Sequence, residues 1–171
     1  MNKIELYKAF KNIQMAFIVS HATWYLLDDP TTVALLDNFI LNFKDGPRSF
    51  TKVFENPKVL DYALKEFMRG AMRAVISETW ELTDNYCKMN NTHDLLKSQP
   101  WYHFIRLIRN ALSHNYKFLF KPFDKTLLPI TWKGKTISKE MEGEEIQFDV
   151  IGYDGTWDYL NALDTFIMDK L

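Results

Sequence analysis

Five stretches of the chain repeat apolar residues at intervals of three, four and seven, the spacing of a helix with one face turned inward. Across residues 3–27, Leu6, Phe10, Ile13, Phe17 and Trp24 fall on one stripe, and His21 lies on it too. Asp28-Asp29-Pro30 then interrupts. Asp29 is placed to cap a second helix with Pro30 at its first position, where a missing N–H costs nothing. The second pattern runs through Val33, Leu36, Phe39, Ile40 and Phe43 until Gly46-Pro47 stops it. Residues 49–55 read as a connector. Asn56-Pro57 repeats the cap-and-proline signal, and a long helix follows to about Met89. Its apolar line is Leu60, Leu64, Phe67, Ala71 and Ala74, with Gly70 leaving room for another helix. Asn90-Asn91-Thr92 breaks the pattern. A further helix runs from Pro100 to about His114, with Phe104, Leu107, Ile108, Ala111 and Leu112 apolar.

The period changes after Phe120. Pro122 and Pro129 are incompatible with a continued helix. Ile130-Thr131-Trp132, Lys133-Gly134 and Lys135-Thr136-Ile137 spell a short β-hairpin with a two-residue turn. Residues 145–151 alternate weakly, as a candidate strand. Gly152 to Gly155 reads as a turn, and Thr156 as the cap of a last helix bearing Trp157, Leu160, Leu163, Phe166 and Ile167. The expected fold is mainly α. It is an up-and-down bundle of four to five helices in a single domain over 1–171, with a β-hairpin region, 121–155, inserted before the last helix.

Composition supports a packed core. The chain has 171 residues, of which 47% are hydrophobic and 15% aromatic, enough to fold without staples. Cys87 is the one cysteine, which excludes an internal disulfide and a Cys-based zinc site. The four histidines show no metal-ligand spacing, so neither a metal nor a cofactor is expected. Residues 1–17 mix lysines and a glutamate with apolar residues, unlike a signal peptide, and no apolar run is long enough to cross a bilayer. A cytoplasmic location is the expectation.

Charge is unevenly spread. Residues 101–125 hold Arg106, Arg109, Lys117, Lys121 and Lys125 against Asp124 alone, a net of +4 with histidines uncounted. The rest of the chain carries 16 positive and 21 negative residues, a net of −5. A basic cluster on an acidic body is a candidate anion-binding face, or else a solvated helix face beside a lysine-rich loop.

That cluster contains Arg106-Leu-Ile-Arg109-Asn110-Ala-Leu-Ser113-His114. On a regular helix Arg109 and His114 point about 140° apart, while Asn110 and His114 share a face. The long arginine can still reach a common site, above all where the helix loosens. A fixed cation, an amide, a hydroxyl and a group titrating near neutrality are the parts needed to hold a phosphodiester and move a proton.

Arg109-Asn110-x-x-x-His114, late in a helix of a small all-α domain, resembles the HEPN superfamily. This strict form arises by chance in about 1% of chains of this length. The resemblance implies a compact helical bundle that dimerises, with the two motifs meeting in one cleft. It also implies a metal-independent endoribonuclease in which the RNA 2′-hydroxyl attacks the adjacent phosphate. The setting it implies is a toxin or antiviral defence module, with an antitoxin protein as a further partner. Arg109 would bind phosphate and stabilise the transition state, His114 would serve as general acid and base, and Asn110 would orient. Helix geometry adds Arg106 and Ser113, and charge adds Lys117 and Lys121, as RNA-binding residues. The alternative is a non-catalytic HEPN-like module that binds RNA, a nucleotide or a protein.

A purely structural role for the same residues predicts that His114 caps a helix C-terminus and that Arg109 pairs with an acid on another helix. Trp101, Tyr102, Phe104 and Tyr116 are candidates for stacking on bases, with core packing favoured for Phe104. His21 reads as a core histidine, His93 as exposed and His103 as packed. Glu78 reads as a boundary residue. Glu140, Glu142, Glu144 and Glu145 read as a solvated loop. No Gly-rich phosphate loop or serine-hydrolase elbow is present.

Overall fold

A computed structural model describes residues 1–37, 40–49, 56–147 and 149–171. Among these, the chain is mainly α-helical with two small antiparallel strand pairs. The element order is α1 (Lys3–Asp28), α2 (Pro30–Asp37), β1 (Ile40–Phe43), β2 (Gly46–Ser49), α3 (Pro57–Met89), α4 (His93–Lys97), α5 (Tyr102–Ser113), α6 (Pro122–Leu127), β3 (Ile130–Trp132), β4 (Lys135–Ile137), a 3-10 turn (Lys139–Met141) and α7 (Gly152–Asp169). Two compact units are present, one made of Met1–Gln14 with Met72–Leu171 and the other of Met15–Ala71.

Several boundaries follow their local chemistry. The Asp29 carboxylate accepts from the Thr32 N–H at 2.8 Å, capping α2 with Pro30 at its first position. The Asn56 side chain does the same for the Lys58 N–H at 3.1 Å, where α3 begins. The β3–β4 hairpin has the expected register, Ile130 opposite Ile137 and Trp132 opposite Lys135. Its turn residues, Lys133 (φ 50°) and Gly134 (φ 74°), are both left-handed, as a two-residue hairpin turn requires.

Other expectations are corrected. The second helix ends at Asp37 instead of continuing to Phe43. Ile40–Phe43 pairs with Gly46–Ser49 across a Lys44-Asp45 turn, and Gly46, where the second strand begins, adopts φ 122°, a conformation open to glycine. Phe39, and residues 50–55 of the expected connector, lie outside the described residues. The α3 stripe is also different. Phe67 and Ala74 are exposed, while Leu64, Met68, Met72, Val75, Ile76, Thr79, Thr83 and Cys87 are buried. Gly70 is exposed. The segment Gly152 to Gly155 is the first turn of α7, and Thr156 sits inside it, donating to the Gly152 carbonyl at 2.7 Å. No strand forms over 145–151 among the described residues; Glu145 makes one isolated bridge with Lys117.

The larger unit packs α5 at its centre. Tyr102, Phe104, Ile105, Leu107, Ile108, Ala111 and Leu112 are all buried. Trp101 lies 5.7 Å from Tyr159 and 6.0 Å from Phe166, ring centre to ring centre. Burying each large side chain is worth about 1.5–3 kcal/mol, so α5 is held rigidly and its remaining face is presented in a fixed orientation.

Candidate functional site

The face of α5 left over by this packing carries His103, Arg106, Arg109, Asn110 and Ser113. At 100° per residue they fall within an arc of about 120°. The helix ends at Ser113, and His114 leaves it at φ −106° and ψ 49°. Asn115 (φ 56°) and Tyr116 (φ 62°) then follow, both left-handed. Two such residues in a row cost about 1–2 kcal/mol each unless the surroundings hold them. Here the Tyr116 carbonyl accepts from the Ile146 N–H at 2.8 Å, and Phe118 exchanges backbone hydrogen bonds with Gly143 and Glu144. Residues 143–146 thus clamp the chain just past the motif.

Each motif residue has a defined environment. Arg109 Nη2 donates to Glu81 Oε1 on α3 at 2.6 Å, and its Nη1 donates to Asn110 Oδ1 at 3.4 Å. Ser113 donates its hydroxyl to the Arg109 carbonyl at 3.0 Å. The His114 N–H caps the helix by donating to the Asn110 and Ala111 carbonyls, while its exposed imidazole hydrogen-bonds to no described residue. The pairing of Arg109 with an acid on another helix, predicted by a purely structural role, is therefore present; His114 occupies the C-cap position through its backbone, and its imidazole hydrogen-bonds to no described residue. Arg109 and Asn110 are brought together on the helix; His114 is placed at its end.

Arg106 points to a second cluster. Its Nη2 donates to Asp124 Oδ1 at 2.5 Å, and Asp124 is 1% exposed. The other carboxylate oxygen of Asp124 accepts from the Lys121 N–H at 2.9 Å, closing the start of α6. Phe123 covers the Arg106 guanidinium at 5.8 Å and the His103 ring at 6.3 Å. Burial, and then the Arg106 charge, hold the His103 imidazole below its ordinary range. Lys117 and Lys121 are exposed and carry no side-chain ion pair among the described residues. Lys125 is matched by Glu142 at 2.7 Å.

Among the expected stacking residues, Trp101, Tyr102 and Phe104 belong to the core. Glu78 is exposed, and Glu81, one turn on, supplies the acidic partner. His93 is half-buried rather than exposed, with Nε2 2.8 Å from Asp84 Oδ1 and Lys88 on the other carboxylate oxygen. The acidic residues Glu140, Glu142, Glu144 and Glu145 are exposed. A cavity of about 490 Å³ lies within Met15–Ala71, lined by Trp24, Leu27, Val33, Ala34, Leu60 and Leu64. Its charged groups are Asp28 and Asp61, and the Asp61 carboxylate accepts from Lys65 Nζ at 2.7 Å. Among the described residues no three His, Cys, Asp or Glu side chains gather to hold a metal ion, and no helix is long and apolar enough to cross a membrane.

No protein-family model, curated protein or solved structure matches this chain. The likeness to HEPN domains rests on the motif and its helical setting.

Proposed function

We propose that the polar face of α5 binds RNA and cleaves it without a metal ion. The observation that carries this reading is the exposed, unbonded imidazole of His114 at the end of the helix that presents Arg109 and Asn110. Arg109 holds the scissile phosphate and stabilises the charge that builds on it. Asn110 Oδ1 steadies the guanidinium. His114 takes the proton from the 2′-hydroxyl, whose oxygen attacks phosphorus; the 5′-oxygen departs with a proton, leaving a 2′,3′-cyclic phosphate and a 5′-hydroxyl. A second copy of the chain would supply a second motif, so that one imidazole accepts a proton while the other donates. Lys117, Lys121, Arg106 and Ser113 supply backbone contacts to the RNA. The setting is a cytoplasmic toxin or antiviral module of HEPN type, restrained by an antitoxin.

A second reading is favoured by one specific observation. Arg109 already holds Glu81, which suits a module that binds RNA, a nucleotide or a protein without cutting. One assay separates the two. Mixed RNA is incubated in EDTA with wild type and with His114→Ala, a surface change that leaves the core intact. Cleavage with cyclic phosphate ends, lost at least 100-fold in the variant, supports the nuclease. Binding without cleavage by wild type supports the second reading.

A further inference from the structure

We propose that Phe123 is the base-stacking residue of this face and selects single-stranded RNA. The inference rests on the RNA reading above. Among the described residues of Met72–Leu171, Phe123 is the one exposed aromatic side chain, with 59% of its surface open. Trp101, Tyr102 and Phe104, which flank the same basic residues in sequence, are each less than 9% exposed and offer no face to a base.

Phe123 is held in place from both sides. Pro122 fixes the backbone before it. Asp124 after it is buried and tied to Arg106 and to the Lys121 N–H. A ring fixed in this way loses little freedom when a base lies on it. Its neighbours are the other half of a nucleotide site. Arg106 and His103 lie against the ring, and Lys121 is exposed two residues away. Arg106 Nε and His103 Nδ1 are buried in the same cluster with no hydrogen-bond partner. Lysine takes the phosphate and the ring takes the base face. Stacking of this kind needs an unpaired base, because a duplex keeps its base faces covered.

The test uses a labelled single-stranded oligonucleotide made of 2′-O-methyl RNA, which lacks the attacking hydroxyl and so reports binding alone. A matched duplex is the control. Binding is followed by anisotropy for wild type, Phe123→Ala, Phe123→Leu and Phe123→Tyr, each checked for folding by its melting curve. Phe123→Ala and Phe123→Leu are expected to weaken single-strand binding about tenfold, Phe123→Tyr to bind within twofold of wild type, and duplex binding to be unchanged throughout. If folded Phe123→Ala binds the single strand as wild type does, or loses both substrates equally, or if Phe123→Leu binds normally, Phe123 does not stack. Failure of wild type to bind either RNA overturns the RNA reading, and this inference with it.

Discussion

Arg109 Nη2 lies 2.6 Å from Glu81 Oε1, so the central cation of the motif already holds an anion of its own chain. An incoming phosphate must replace that carboxylate or share the guanidinium with it. The pair is solvent-accessible, with Glu81 56% exposed, and such pairs are worth about 0–1 kcal/mol. Glu81 is therefore a weak competitor. Glu81→Gln should tighten RNA binding about two- to fivefold, most clearly at low salt, where charge pairs are least screened. Titration of wild type and variant with one labelled RNA at two ionic strengths checks this; unchanged affinity at both would show that Arg109 does not meet the phosphate.

The Arg106–Asp124 pair is a different case, since Asp124 is buried and also closes the start of α6. Asp124→Ala strands a guanidinium and removes the cap together. Breaking a buried pair from one side costs about 3–5 kcal/mol, and the part-exposed arginine places this pair at the lower end, about 3 kcal/mol. Urea unfolding should show that loss of stability. A cost below about 1 kcal/mol would mean the contact contributes little to holding α6 on α5.

How much of this was legible in the sequence depended on whether a signal was local. Caps and turns were: Asp29-Pro30, Asn56-Pro57 and Lys133-Gly134 each act through their own neighbours, and each stands where the pattern put it. The buried line of α3 was not. Thr79 and Thr83 are fully enclosed, and Thr79 resolves its hydroxyl by donating to the Val75 carbonyl at 2.6 Å, with the Tyr159 hydroxyl 3.2 Å away. The Thr79 hydroxyl, satisfied by its own helix, packs like an apolar residue, so a count of apolar letters selects the wrong stripe. The Arg109–Glu81 and Arg106–Asp124 pairs join elements far apart in sequence, and helix periodicity on α5 alone does not reveal them. Phe123 stands outside the long helices, two residues past Lys121, where no apolar period marks it.

His103 gives the protein a dependence on pH. Its imidazole is held below the usual range by burial and by Arg106, with Asp124 opposing. The unfolded chain therefore binds a proton at His103 more readily than the folded one. The neutral ring's contribution is complete above about pH 6.5 and is lost as pH falls through the lower folded value. Melting temperature should fall between pH 7.5 and 5.5, and His103→Gln should flatten that slope. An unaltered slope in the variant would assign the acid sensitivity to another group.

The second copy proposed above requires a surface, and α1 offers an apolar stripe. On α1, Met15, Ile18, Val19, Ala22, Tyr25 and Leu26 are all exposed at helical spacing, opposite the inward-facing Phe17 and Trp24. Residues 15–27 carry no Asp, Glu, Lys or Arg, so two copies can meet along this stripe without charge repulsion. About a two-fold axis between Ser20 and His21, Met15 of one copy meets Leu26 of the other, and Val19 meets Ala22, small residues that allow close approach. Asp28 and Asp29 at the end of the stripe would repel in a parallel pair and are kept apart in an antiparallel one. Three helical turns would bury on the order of 600 Å² per copy, below the ~800 Å² of a standard interface, so a weak, concentration-dependent association is expected. Sedimentation from 1 to 100 micromolar should show wild type passing from monomer to dimer, and Val19→Glu with Ala22→Glu remaining monomeric. Identical sedimentation of the two would place any self-association on another surface.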